Sequence, residues 1–187
     1  MIETLSVIIL LLFLPIPFVL LVMHLFINFW RRIGRMSYAV AIAIWPAIGI
    51  LILLYRKMLL AYGLQFPLLV QALGLAMALG GLILAWAAQR HLTLPVLVGY
   101  PEILPKEHKP RLVTTGLYAR LRHPRYTGYF LILDGWFLVS GFVIFPIAAL
   151  LLLFVIPIEE RELKRRFGQA YAVYMKNVPA FFPRLGT

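Results

Sequence analysis

The chain has no cysteine. That excludes a disulfide, a thiolate zinc site, an iron–sulfur cluster and a thiol nucleophile. Charge is scarce too: 13% of the 187 residues are Asp, Glu, Lys or Arg, where a soluble domain carries roughly a quarter. Acids are the scarcer sign, 7 against 18 basic residues, for a formal net charge of +11. The 4 histidines stand at irregular spacings, so no metal site is expected. What fills the chain is apolar: 63% of it, with a mean hydropathy of +0.91, more than one soluble core of this length could bury. The composition is that of an integral membrane protein. The basic residues lie between lipid-length apolar runs, which makes topology their first explanation, and no nucleic-acid partner is expected.

A helix needs about 20 apolar residues to cross a bilayer core, because its backbone polar groups must be satisfied within the segment. Leu5 to Trp30, Tyr38 to Tyr55 and Phe66 to Ala88 qualify. In the first run, Pro15 and Pro17 are expected to kink the helix. No Lys or Arg precedes it and no small-residue cleavage site follows, so it is not read as a signal peptide. The third carries Ala72, Ala76 and Gly80 at four-residue spacing, a stripe expected to let another helix approach closely.

The fourth run, Thr127 to Ile158, is 32 residues long, too long for one ordinary helix and short for two. Crossing once would leave the 7 basic residues ahead of it and the 6 of the tail on opposite sides. Crossing twice, as a hairpin broken near Ser140, Gly141 and Pro146, collects 16 on one side against 2. The positive-inside tendency favours the hairpin. The expected fold is therefore all-α, with spans at about 5–30, 38–55, 66–88, 127–140 and 142–158. The N-terminus is outside, and the His91–Arg125 loop and the Glu159–Thr187 tail are cytoplasmic. The tail is expected to open as a helix with Glu159, Glu160 and Glu162 in its first turn, Lys164, Arg165 and Arg166 behind them, and Pro179 and Pro183 at its end. No repeat or linker divides the chain, which reads as one unit over 1–187.

Leu112 to Gly128, LVTTGLYARLRHPRYTG, is the densest polar segment. Arginine and tyrosine at a membrane boundary serve ordinarily as interfacial anchors. Against that stands Arg122-His123-Pro124, where proline drives the histidine backbone toward an extended conformation and fixes its direction. Glu159 and Glu160 follow Pro157 at the expected membrane exit. Both can be solvated first-turn acids; equally, neighbours on a helix point about 100° apart, so one can face the bundle while the other faces water. Asp134, about two turns into the fourth run, is either an intramembrane functional carboxylate or a neutral or paired packing group. His24 and His91 are isolated, as structural histidines are, and His108 sits in a polar loop.

These residues also carry a resemblance. Gly116-x-Tyr118-x-x-x-Arg122-His123-Pro124-x-Tyr126-x-Gly128 is followed by Glu159-Glu160, then Phe167-Gly168-x-x-Tyr171-x-x-Tyr174, then Val178-Pro179 and Pro183. The series resembles the isoprenylcysteine carboxyl methyltransferase family and, more loosely, the phospholipid N-methyltransferases. The resemblance implies a membrane enzyme that takes S-adenosylmethionine from the cytosolic side and methylates a lipophilic acceptor from the bilayer. It implies cofactor contacts at Gly116, Tyr118, Arg122, His123, Tyr126, Glu159 and Glu160, within segments 112–128 and 159–183. The glycine-rich strand-to-helix pattern of soluble methyltransferases does not occur in the chain.

Direct methyl transfer chiefly needs placement of the acceptor about 3 Å from the methyl carbon. A carboxylate acceptor needs no base; an amine or thiol has to lose a proton, with Glu160 or His123 to receive it. The leading expectation is O-methylation of a lipophilic carboxylate anchored by Arg122 or Arg161, with Glu160 and Arg122 as the catalytic candidates. N-methylation of a phospholipid amine and S-methylation of a small thiol are the alternatives. From other classes come a membrane sterol reductase, whose C-terminal layout is related, and a non-enzymatic protein whose basic loops bind anionic lipid.

Overall fold

The computed structural model describes residues 1–97, 99–107 and 111–182, so His108 and Pro183 lie outside the described residues. Every named element among those described is helical, apart from an isolated bridge between Gly63 and Phe142. In chain order they are α1 (Ile2–Phe13), α2 (Pro15–Leu25), α3 (Ile27–Ile33), α4 (Met36–Leu59) and α5 (Leu68–Gln89). Two single turns follow, α6 (Leu94–Leu97) and α7 (Tyr100–Ile103), then a 3-10 turn at Gly116–Ala119. The chain continues with α8 (Pro124–Ser140), α9 (Ile144–Phe167) and α10 (Gln169–Asn177).

Three helical stretches are long and apolar enough to cross a membrane: Ile2–Leu25, Met36–Leu59 and Leu68–Gln89. Their large side chains face outward, Ile42 74%, Leu54 71% and Leu68 81% exposed. In water such faces would be costly; against lipid they are not. The first run is divided more than expected. It breaks at Leu14, where Pro15 begins α2, and again at Phe26. Pro17 lies in the first turn of α2, where its missing N–H would have had no helical partner, and causes no break.

The fourth run does break at Gly141, between α8 and α9. Gly141 has φ +78°, and a Cβ there would lie 1.8 Å from the Leu64 carbonyl oxygen. Only glycine fits, because the turn is clamped to the α4–α5 loop: Leu64 N–H donates to Gly141 O at 2.9 Å and Val143 N–H to Tyr62 O at 3.1 Å.

Three expectations are corrected. The small-residue seam of α5 is not Ala72, Ala76 and Gly80, which are exposed; it is Gly74, Ala78, Gly81, Ala85 and Ala88. Alternating steps of four and three stay on one face of a 3.6-residue helix, whereas a strict step of four drifts off it. Second, no tail helix opens at Glu159: both glutamates lie deep in α9, which runs through Pro157 unbroken. Proline costs one backbone bond there, and buried Leu152, Val155 and Ile156 before it and Glu162 after it hold the helix together across it. Third, Gly168, with φ +54°, ends α9 before either proline is reached.

The core lies between α1, α2, α8 and α9, around Leu10, Leu133, Phe145, Ala148, Leu152 and Val155. Within it Trp136 Nε1 donates to Ser6 Oγ at 2.9 Å, so the indole N–H is not left unpaired in an apolar interior.

Candidate active site

His123 is the N-cap of α8 and Pro124 its first residue. Proline suits that position, since its fixed φ is already helical and no N–H is lost. The tail folds back onto this corner. Arg122 N–H donates to Pro179 O at 2.9 Å and His123 N–H to Ala180 O at 3.1 Å. The Arg122 guanidinium bridges three segments: Nε and one terminal nitrogen each lie 2.9 Å from Glu160 Oε1, and the other terminal nitrogen donates to Met175 O at 3.1 Å and to Val178 O. His123 Nε2 lies 3.0 Å from the same Glu160 oxygen. Tyr126 donates from its hydroxyl to Glu159 Oε2 at 2.6 Å, and Tyr174 from its hydroxyl to Tyr118 O at 2.6 Å. The two adjacent acids thus face different partners, as their angular separation on a helix requires.

Electrostatics follow from these contacts. Burial pushes the Glu159 carboxyl up, but the neighbouring His24 and His123, the Tyr126 hydroxyl and Arg125 outweigh it and hold Glu159 below the ordinary carboxylate value. Burial likewise opposes ionisation of Glu160, and His123 and Arg122 again prevail, leaving it lowered. Burial and Glu159 drive the Tyr126 phenol well above its ordinary value. Tyr174 is pushed up to about 12, chiefly by burial.

Beside this network is a cavity walled by α6, α7, the segment before α8, the last turns of α9 and α10. Arg122, His123, Tyr126, Glu159 and the Tyr118 side chain line it. Its remaining wall mixes apolar groups such as Leu112, Leu163 and Phe167 with Arg125, Glu102 and Tyr171. These last three each present a buried polar atom with no hydrogen-bond partner among the described residues: Arg125 Nε, Glu102 Oε2 and the Tyr171 hydroxyl. A cavity with unsatisfied donors and acceptors in its wall is suited to a polar ligand.

Residues 69–170, more than half of the chain, match the phospholipid methyltransferase family. The chain belongs to that family. Among curated relatives of this phospholipid methyltransferase family member, it is 34% identical over 86 residues to protein-S-isoprenylcysteine O-methyltransferase B of Arabidopsis thaliana, covering 42% of each chain. It is 36% identical over 77 residues to the protein-S-isoprenylcysteine O-methyltransferase of Schizosaccharomyces pombe, 38% of this chain and 33% of that one. It is also 31% identical over 84 residues to a methanethiol S-methyltransferase of Crocosphaera subtropica, 43% of this chain and 33% of that one. The chain thus spans well under half the length of the curated relatives it matches.

Within this phospholipid methyltransferase fold, Arg122, His123, Tyr126, Glu159 and Glu160 form one connected group. Two candidates stand apart from the cavity. Gly116 is exposed, with φ +62°, and the His91 ring stands 2.2 Å from where its Cβ would lie, so only glycine fits there. Glu160 does not line the cavity; it grips Arg122 and His123 from behind. Arg161 is exposed, and Asp134 is partly buried along α8 with no hydrogen bond to a described residue. His24, expected to be isolated, is buried close enough to Glu159 to lower its pKa. Sequence reasoning missed Glu102, Arg125 and Arg166 as cavity residues. Tyr171 was visible only through its place in the Phe167-Gly168-x-x-Tyr171 string.

Proposed function

We propose that this chain is an S-adenosylmethionine-dependent membrane methyltransferase that O-methylates a carboxylate on a lipophilic, isoprenylcysteine-like acceptor. The observation that carries the reading is the cavity beside the Arg122–His123–Glu160 network, with its mixed apolar and unsatisfied polar wall, in a chain of this family. The residues fit the methyl donor: an ionised Glu159 favours a cation, Leu112, Leu163 and Phe167 offer apolar contact, and three buried polar atoms await partners. When bound, S-adenosylmethionine supplies a methyl group on a positively charged sulfur.

The chain's own contribution is orientation and exclusion of water. Arg122 is committed to Glu160 and two tail carbonyls, so it frames the cavity instead of receiving a substrate carboxylate. Arg125, partly buried along the cavity with a buried, unpartnered Nε, is the better anchor for that carboxylate. Glu160 is held ionised by three short contacts, which makes it a weak base. A carboxylate acceptor needs no base, and this favours O-methylation over amine or thiol chemistry. An apolar cleft of about 230 Å³ between α2, α3 and α4 ends at Ile103, one residue from Glu102 in the cavity wall. Its position supports an acceptor with a hydrocarbon chain arriving from the bilayer. Small-thiol S-methylation is the second reading, favoured by the similarity to the Crocosphaera enzyme.

In this reading residues 127–140 of α8 and 144–158 of α9 are the fourth and fifth crossings, and the cavity, the tail and 16 of the 18 basic residues face the cytoplasm. Incubating membranes that contain the protein with labelled methyl donor tests the reaction. A lipid-extractable product labile to mild base is expected; a base-stable product would reject O-methylation, and no product would reject the enzyme.

A further inference from the structure

Glu102 is held on α7 by two arginines. Arg31 Nε donates to its carbonyl oxygen at 2.8 Å, and Arg166 lies 2.7 Å from its Oε1. Both arginines are gripped in turn by Glu162, at 2.7 Å from Arg31. The carboxylate therefore cannot swing freely, and its Oε2 is buried with no partner among the described residues. In the same cavity Tyr171, 1% exposed, also presents an unpartnered hydroxyl.

A buried carboxylate oxygen without a hydrogen bond is costly. Its fixed position in a cavity wall makes it an acceptor for a donor that arrives with a ligand. The donor's type follows from what is still free. Arg166 already holds Oε1, so the oxygen left for a ligand is Oε2, and what meets it has to be a donor. A single charged acceptor suits a single charged donor, an ammonium N–H. We infer that Glu102 forms an ammonium subsite of the cavity, accepting from a primary ammonium group of the bound ligand. The inference rests on the methyltransferase reading. That reading offers two sources of the group: the amino-acid end of the methyl donor, or the amine headgroup of an aminolipid acceptor.

Calorimetry on the full chain in detergent separates them. The wild-type protein is expected to bind S-adenosylhomocysteine about tenfold to a hundredfold more tightly than its N-acetyl derivative, the scale of one charged hydrogen bond. Glu102→Gln is expected to lose a similar factor for S-adenosylhomocysteine and none for 5′-methylthioadenosine, which lacks the amino-acid part. Glu107→Gln, at an exposed acid paired with Arg35, leaves both affinities unchanged. If the N-acetyl derivative binds as well as the parent, the donor is not the source. Phosphatidylethanolamine in mixed micelles then decides: weaker binding to Glu102→Gln supports the aminolipid source, and equal binding overturns the subsite. Failure of the wild-type protein to bind S-adenosylhomocysteine would tell against the methyltransferase reading itself, before any variant is made. Should Glu102→Gln not fold, Glu102→Asp, which keeps the charge and withdraws the carboxylate by one carbon, takes its place in both comparisons, and unchanged affinities for S-adenosylhomocysteine and phosphatidylethanolamine there overturn the subsite.

Discussion

One helix, α8, meets its surroundings in two unlike ways. Along its length it lies backbone against backbone on α5: a Cβ on Gly81 would come within 2.6 Å of Gly128 O, and one on Gly135 within 2.6 Å of Gly74 O. At its N-terminal corner it is held instead by charge, through Arg122, His123 and Glu160. The seam relies on close van der Waals contact, which small residues permit by letting the two backbones approach. The corner relies on hydrogen bonds between groups that bury only if all are satisfied. Shape therefore sets where α8 runs, and electrostatics set what its end presents to the cavity.

The comparison is broken most severely at the seam. Gly81→Leu places a side chain where backbone already lies, with Ile132 N at 2.8 Å as a second obstacle. A loss of at least about 3 kcal/mol is expected, read as a collapse of the thermal unfolding midpoint in detergent. Arg122→Ala comes next. It strips Glu160 and the tail carbonyls of their shared partner, with an expected cost of about 3 kcal/mol and loss of S-adenosylhomocysteine binding; a variant that bound normally would remove Arg122 from the site.

Acid should weaken the corner and spare the seam. Glu159 and Glu160 are lowered from an ordinary 4.5, so the folded state binds their protons more weakly than the unfolded chain. Their contribution is fully present above that ordinary value and is lost as pH falls through their lower folded values. The unfolding midpoint of Glu160→Gln should fall less steeply over this window than that of the wild type; parallel curves would refute the assignment. The smallest effect is expected at Ala72→Leu, on the exposed side of α5, where a change within about 0.5 kcal/mol is anticipated. A large loss there would restore the rejected stripe.

Much of this was legible in the chain. The apolar runs behind α4 and α5 begin within two residues of the helices observed, and α4 continues four residues past Tyr55; the Ser140–Gly141 break falls where the fourth run was expected to turn. The nearness of Arg122-His123 to Glu159-Glu160 was anticipated through the family strings. The α5 seam was misread because a stripe of small residues says nothing about which side a partner will take until that partner's own glycines, Gly128 and Gly135, are matched to it. The helix start at Glu159 was misread because first-turn acids and a preceding proline are local signals, and the buried packing of α9 on both sides of Pro157 overrode them. Glu102 had no signal at all, being one acid in a polar loop.

The apolar character that suits a membrane and the excess of 18 basic over 7 acidic residues are sums over local composition, so the sequence alone determined them. Which oxygen of which acid is left without a partner is a different kind of fact. Arg122 reaches Val178 across 56 positions and Arg31 reaches Glu162 across 131. The first exists only once the tail has folded back over the N-terminal corner of α8, the second only once α3 lies against α9. Tertiary structure therefore decided the site, because hydrogen bonds saturate: each contact made by Arg122 or Arg166 removes an acceptor, and what remains free is fixed by the whole arrangement.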